Sequence, residues 1–188
     1  MNFASAMEIK TERLLLRPLR MTDADDLLEY QSNAEIVRYI PWPERSYEQV
    51  VEALQRAIDG AKSELVDEGD YLILGWEFEG KIIGQSNMGL QSKRDKCADI
   101  GWVTHQDYQR QGFAYEATVA LMRYGFEKFG LHRMIANIDT RAKGSALLAE
   151  KLGMRREAEF KQAEFFKGDW CDMWLYAILD GEFGVRKS

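Results

Sequence analysis

The sequence is poor in cysteine, in proline and in long apolar runs. Its 188 residues include two cysteines, Cys97 and Cys171, and a disulfide framework needs more, so we interpret both as reduced thiols of a cytoplasmic protein. Apolar runs such as 174–179 are far shorter than the roughly 20 residues of a membrane-spanning helix. Residues 1–10 contain no cationic start followed by an apolar stretch, and therefore predict no secretory signal.

Positive charge is also in short supply. The chain has 25 Lys and Arg against 31 Asp and Glu, a net charge of −6, which argues against a dedicated nucleic-acid binder. Hydrophobic residues make up 46% and charged residues 30%, so the chain can build a sizeable core and does not have a disordered composition. At about 150 residues per domain, the length predicts one domain over residues 1–188.

Apolar spacing and turn residues divide the chain into alternating elements. After Gly69 the spacing changes from that of helices to that of strands, and no proline follows Pro43. The predicted order, β-α-α-β-β-β-α-β-α-β-β, indicates a mixed α/β domain with a largely antiparallel sheet. The predicted strands cover residues 8–16, 71–78, 81–90, 97–104, 133–139, 157–166 and 170–179. Thr22 is predicted to cap the first helix, and Ser46 is predicted to open the second. The third helix is predicted to run from about 115 to 129, and the fourth from Ser145 to 152.

The most informative segment is Gln109-Arg110-Gln111-Gly112-Phe113-Ala114, which lies between a predicted strand and the longest predicted helix. A strand that enters a helix through small residues points several free backbone amides at one place, and the helix dipole adds to their attraction for an anion. Gly112 and Ala114 leave room for a pyrophosphate, and Arg110 adds a cation. The alternative is an ordinary loop whose small residues only let the helix pack on the sheet.

Four blocks of the sequence, in order, resemble the GCN5-related N-acetyltransferase (GNAT) family. Gln109-x-x-Gly112-x-Ala114 is similar to the loop that binds the pyrophosphate of acetyl-CoA in this family. The similarity extends to the branch that acetylates the N-termini of ribosomal proteins. The four blocks are residues 11–19, residues 98–103 with the loop and residues 112–117, Ser145 with residues 150–154, and residues 161–164 with 168–176. The resemblance covers nearly the whole chain and implies the GNAT fold, with a splayed, mostly antiparallel central sheet.

The resemblance implies direct transfer of an acetyl group from acetyl-CoA to a primary amine, without a metal. The implied acceptor is the N-terminal α-amino group of a ribosomal protein. A small amine (a polyamine, an amino acid or an aminoglycoside) is the alternative acceptor, and a non-catalytic CoA-binding module is the alternative class. The sequence leaves monomer and homodimer open. The implied cosubstrate-binding residues are Trp102, Val103 and Thr104 for pantetheine, and Gln109, Arg110, Gln111, Gly112, Phe113 and Ala114 for pyrophosphate.

Two carboxylates are candidates for the base that takes a proton from the amine. Glu164 is the first, because its block resembles one in which a glutamate is proposed to act; the alternative is a surface glutamate that solvates a hairpin. Asp99 is the second, and its alternative is a carboxylate that holds the sheet edge. His105 is expected to be a surface histidine or an indirect support, and His132 is expected to be structural.

Ser145 is the candidate acid for the departing thiolate and also a candidate contact to the cosubstrate. It matches the serine of the family's Asn-x-x-Ser block, and its alternative role is that of a helix cap. Ala142 replaces the Asn of that block, and Ala149 stands where many relatives have a tyrosine acid. Trp42, between two prolines, is expected at the mouth of the acceptor site.

Overall fold

Thirteen strands and helices follow one another in the part of the chain that the structure describes. The computed structural model describes residues 7–62 and 64–184. The strands are β1 (Ile9–Lys10), β2 (Leu15–Pro18), β3 (Tyr71–Phe78), β4 (Lys81–Ser92), β5 (Cys97–Thr104), β6 (Arg133–Asp139), β7 (Arg155–Phe166) and β8 (Asp169–Leu179). The helices are α1 (Ala24–Gln31), α2 (Ala34–Val37), α3 (Tyr47–Gly60), α4 (Phe113–Phe129) and α5 (Lys143–Lys151). None of the described helices combines the length and the hydropathy that a membrane crossing requires.

The eight strands form one mixed sheet in the order β1-β2-β3-β4-β5-β6-β8-β7. Every neighbouring pair is antiparallel except β5 and β6, which are parallel. The mixed α/β class and the largely antiparallel sheet expected from the sequence are therefore confirmed.

The N-terminal segment differs from its prediction because a local turn interrupts it. The Thr11 N–H donates to the Leu14 carbonyl, and the Leu14 N–H donates to the Thr11 hydroxyl, both at 2.9 Å. This turn divides the predicted strand 8–16 into the antiparallel pair β1 and β2. The short helix α2 was not predicted, since four residues are too few for a periodic pattern; the Asn33 side chain caps it.

The predicted helix starts agree with the structure to different degrees. Ser46 caps α3 as predicted: its N–H donates to the Gln49 side chain at 2.9 Å, while its hydroxyl accepts from the Gln49 N–H. The prediction that Thr22 caps the first helix is wrong, because Thr22 lies inside a 3-10 turn and α1 begins at Ala24. Helices α4 and α5 each begin two residues before their predicted starts.

Two hydrophobic cores cover the two faces of the sheet. Helices α4 and α5 pack on one face, with Leu121 and Ala149 among the fully buried residues. Helices α1 and α3 pack on the other face, around Tyr30 and Leu54. Because side chains alternate along a strand, β5 serves both cores: Ile100 points to the first and Val103 to the second.

Strands β5 and β6 separate soon after they pair. Only Cys97–Asp99 of β5 pair with β6, whereas β5 pairs with β4 up to Thr104. The backbone edge of β5 beyond Asp99 is therefore not covered by β6. This splay is the one expected from the sequence resemblance, and it opens the sheet at its centre.

A buried ion pair joins the N-terminal strands to the first helix. Arg17 and Asp23 are only 4% and 5% exposed, and two guanidinium nitrogens donate to the two carboxylate oxygens at 2.8 Å each. The Arg17 Nε–H donates to Glu77 on β3. The hydrogen bond to Asp23 raises the pKa of Arg17 against the effect of burial.

We expect Arg17→Met to lower the free energy of unfolding by about 3–5 kcal/mol, because it leaves the Asp23 carboxylate buried without its cation. Urea denaturation would measure the loss. Arg94→Met is the control, since Arg94 is exposed and its pairing with the adjacent Asp95 is a solvent-screened surface ion pair that contributes little to stability. Equal losses in the two variants would contradict the importance of the buried pair.

Candidate active site

Two cavities meet at the splay between β5 and β6. The first, of about 590 Å³, lies over β4 and β5 and is called the strand cavity; it extends from Trp42 to Asp99 and Glu164. The second, of about 480 Å³, is called the loop cavity; it lies between the end of β5, the loop 109–112 and α5. Both cavities are lined by Tyr39, Ile40, Trp102, Val103, Ala142 and Ser145.

The loop cavity is built around the start of α4. Gly112 has φ +87°, a left-handed conformation that glycine adopts without strain, and it turns the chain into the helix. The first amides of α4 have no intrahelical acceptor, so they and the helix dipole favour an anion. Gln109, Arg110 and Ala114 also line this cavity.

Two residues of the predicted loop motif point their side chains elsewhere. Phe113 is 3% exposed and packs against Phe78 in the core. The Gln111 side-chain amide donates to the Asp107 carbonyl at 2.8 Å. Their backbone amides are thus the groups that these two residues offer to a ligand. The Gln109 side chain donates to the Thr104 carbonyl at 3.3 Å and ties the loop to the end of β5.

A clamp that was not predicted fixes the start of α4. The Arg13 N–H and Nε–H each donate to the Glu116 carboxylate at 2.7 Å, and the Thr11 hydroxyl donates to it at 2.6 Å. Burial alone would raise the pKa of Glu116, but these hydrogen bonds lower it. Arg13 also donates to the Gln111 carbonyl at 3.1 Å. The signal in the sequence was the presence of opposite charges in two of the blocks that resemble the family.

A bulge in β7 places Glu164 on the lining of the strand cavity. The register between β7 and β8 shifts between Phe160 and Glu164. Asp172 on β8 holds the bulged residues, accepting hydrogen bonds from the Gln162 N–H at 2.8 Å and the Lys161 ammonium at 2.9 Å. Glu164 itself is exposed on the side of the cavity.

Asp99 lies half-buried in the same cavity, above a glycine. A Cβ on Gly89 would come within 2.7 Å of its Oδ1, so the absent side chain makes room for the carboxylate. The Gln91 amide donates to this oxygen at 2.6 Å. Burial raises the pKa of Asp99, and this effect exceeds that of the hydrogen bond.

Ser145 occupies the junction of the two cavities. Helix α5 begins at Lys143, after Ala142, so the prediction that Ser145 opens the helix is wrong, and so is its alternative role as the cap. Ser145 instead lies one turn into the helix and lines both cavities. Ala149, where many relatives have a tyrosine, is fully buried in the core.

The two histidines lie outside both cavity linings. His105 was expected to be a surface histidine or an indirect support, and the first of these expectations is wrong. The residue is 1% exposed, and its Nε2 lies 2.8 Å from Glu29 of α1. Its Nδ1 accepts a hydrogen bond from the Asp107 N–H. His132 is exposed, with Asp180 at 3.4 Å.

Trp42 lines the strand cavity, where the sequence predicts contact with the acceptor. Its indole N–H is buried and has no hydrogen-bond acceptor among the described residues. The Arg45 guanidinium lies over its ring at 4.9 Å.

The topology also brings residues to the strand cavity that no motif marked. Asp139 at the end of β6 is 2% exposed, and hydrogen bonds from Arg141 lower its pKa although burial would raise it. Asn87 lies next to Gly101, where a Cβ would be 2.6 Å from its Oδ1. Within residues 7–62 and 64–184, no group of three His, Cys, Asp or Glu is arranged to hold a metal ion.

Comparison with known proteins gives consistent matches over most of the chain. A family model described as an acetyltransferase (GNAT) domain matches residues 13–155. The uncharacterized N-acetyltransferase YnaD of Bacillus subtilis is 33% identical over 181 residues, which is 94% of this chain and 99% of the relative. The ribosomal protein uS5-alanine N-acetyltransferase of Escherichia coli is 28% identical over 178 residues, 92% of this chain and 90% of the relative.

A solved structure supports the architecture. The structure of Mycobacterium smegmatis RimJ in complex with CoA-disulfide has a TM-score of 0.80 with this chain at 21% identity. The match covers 97% of this chain and 91% of that one. The fold expected from the sequence is therefore confirmed.

The burial of Asp99 predicts a pH-dependent effect of Asp99→Asn on stability. A carboxyl whose pKa is raised on folding contributes stability below its unfolded pKa and loses it as pH rises through the folded pKa. We therefore expect the melting temperature of Asp99→Asn, relative to that of the unmodified protein, to be higher at pH 7 than at pH 4. Thermal unfolding at both pH values measures this, and a pH-independent difference would contradict it.

Proposed function

The chain belongs to the family of acetyltransferase (GNAT) domains and is an N-acetyltransferase, and from this premise we propose that it acetylates the α-amino group of a protein N-terminus in the cytoplasm. In this proposal residues 1–188 act as one domain, and acetyl-CoA is the acetyl donor. The observation that carries the proposal is the meeting of two cavities at Trp102 and Ser145, one suited to each substrate.

The loop cavity fits the donor. The backbone amides of Gly112, Phe113 and Ala114 bind the pyrophosphate, and Arg110 adds positive charge beside it. The uncovered edge of β5 offers backbone groups of Trp102 and Thr104 to pantetheine, and Val103, whose backbone groups face β4, lines the same path. Ala142 and Ala114 line this path with small side chains. Acetyl-CoA supplies the reacting acetyl group as a thioester at the junction.

The strand cavity supplies the groups that move protons. In our proposal Glu164 takes the proton from the protonated amine, because only the neutral amine has the lone pair that attacks the carbonyl. The new C–N bond forms as the C–S bond breaks. The departing CoA thiolate takes a proton from the Ser145 hydroxyl, which regains one through the water molecule that accepts the second proton of the acetylated nitrogen.

Two observations support a peptide acceptor. A relative that is similar over nearly its whole length is named for an acceptor that is a ribosomal protein. The strand cavity, of about 590 Å³ and lined by Trp42, also has room for the first residues of a peptide.

We expect the purified protein to transfer acetyl from acetyl-CoA to the α-amino group of short peptides. Release of free CoA thiol and mass spectrometry of the peptide would measure the reaction. The comparison acceptors are spermidine, free lysine and an aminoglycoside. Turnover with these alone would replace the proposed acceptor by a small amine, and CoA binding without any turnover would indicate a binding module.

We expect Glu164→Gln and Ser145→Ala each to lower kcat by roughly 10²–10⁴, the usual contribution of a proton-transfer group, with little change in the Kd for acetyl-CoA. Steady-state kinetics and calorimetry separate the two quantities. Glu159→Gln, on the same strand, and Ser32→Ala, at the end of α1, are the matched controls. For either variant, an equal loss in kcat and in affinity for acetyl-CoA would indicate that the substituted residue acts in binding only.

A further inference from the structure

The strand cavity has a polar end beyond the junction. On the cavity face of the sheet, Asp99 is in register with Gly89, and Asn87 is in register with Gly101. Each polar side chain lies so close to the neighbouring glycine that a Cβ there would be within 2.7 Å of its Oδ1. Because Gly89 and Gly101 have no side chains, the cavity is deeper there, and the Asp99 carboxylate and the Asn87 amide remain on its lining.

The Asp99 carboxylate has no cationic side chain as a partner in the described part of the chain. Among the described residues it accepts a side-chain hydrogen bond from the neutral Gln91 amide and forms no ion pair. Asp139, by comparison, is also on the lining and is neutralised by Arg141. Asn87 makes no side-chain hydrogen bond with another described residue, so its oxygen is also available. A half-buried carboxylate next to a free amide oxygen is suited to a bound cation.

We propose that Asp99 and Asn87 form a subsite for the cationic side chain of the acceptor's first residue, so that the enzyme prefers peptides that begin with arginine. This inference rests on the proposed function, because it takes the α-amino group to react at the junction. A guanidinium offers several N–H donors in one plane and thus bonds both Asp99 and the Asn87 oxygen.

The dimensions of the cavity agree with this assignment. Asp99 and Trp102 are three residues apart on β5, which corresponds to roughly 10 Å along a strand. A long side chain such as arginine, together with the reach of Asp99 itself, spans most of this distance, whereas alanine or serine does not. The cavity volume of about 590 Å³ also exceeds what a methyl side chain would fill.

The test compares two peptides that differ only in charge at the first residue, arginine and its neutral near-isostere citrulline. Neither side chain competes with the α-amino group for acetylation. With the full chain and acetyl-CoA, we expect kcat/KM to be at least tenfold higher for the arginine peptide. In Asp99→Asn, kcat/KM for the arginine peptide should fall to the level of the citrulline peptide. Asp95→Asn is the control of equal charge change, since Asp95 is exposed and outside the cavity.

A measurement of peptide binding tests the subsite independently of acetyl transfer. Calorimetry with the CoA-loaded protein should give a tighter Kd for the arginine peptide than for the citrulline peptide, and Asp99→Asn should abolish the difference. Equal affinities, or no binding of either peptide, would overturn the subsite. A parallel loss of kcat for both peptides in Asp99→Asn would instead make Asp99 a base. Preferential binding of the arginine peptide without acetylation would refute the proposed function and leave the subsite standing.

Discussion

The brief pairing between β5 and β6 is the constraint on which the site depends. A sheet whose central strands stayed paired would use the backbone groups of residues 100–104 for its own hydrogen bonds. Because β6 leaves β5 after Asp99, the groups on that side of the segment are not used in the sheet ladder, and a gap opens between the two halves of the sheet. Both cavities meet at this gap, so the separation of the two strands is also what brings the proposed donor and acceptor sites together.

Long-range polar contacts then hold the irregular segments around the gap. The clamp between Arg13 and Glu116 fixes the start of α4 against the turn that follows β1. Asp172 fixes the bulge that carries Glu164. In each case a carboxylate accepts backbone and side-chain hydrogen bonds from a segment that no helix or strand ladder would hold in that shape. Specific hydrogen bonds therefore hold the segments of the candidate site, although these segments lie in a loop and a bulge.

The sequence predicted what depends on local pattern. Strand β6 and the Ser46 cap follow from apolar spacing and from hydrogen bonds within one turn, so neither needs information from distant residues. The burial of His105 was missed because its partner, Glu29, is 76 residues away. The bulge before Glu164 was missed for the same reason, since Asp172 on the next strand imposes it. The assignments of Glu164, Asp99 and Ser145 as reacting groups remain predictions.

The floor of the strand cavity owes its depth to two residues without side chains. Gly89 and Gly101 are neighbours of Asp99 and Asn87, and neither glycine has a positive φ. Alanine at either place is thus allowed by the backbone and excluded only by the polar group opposite. One base change in a glycine codon gives alanine, so evolution has a short route to a shallower pocket. Under the proposed function, relatives that differ at these two positions can therefore differ in acceptor while they bind the same donor.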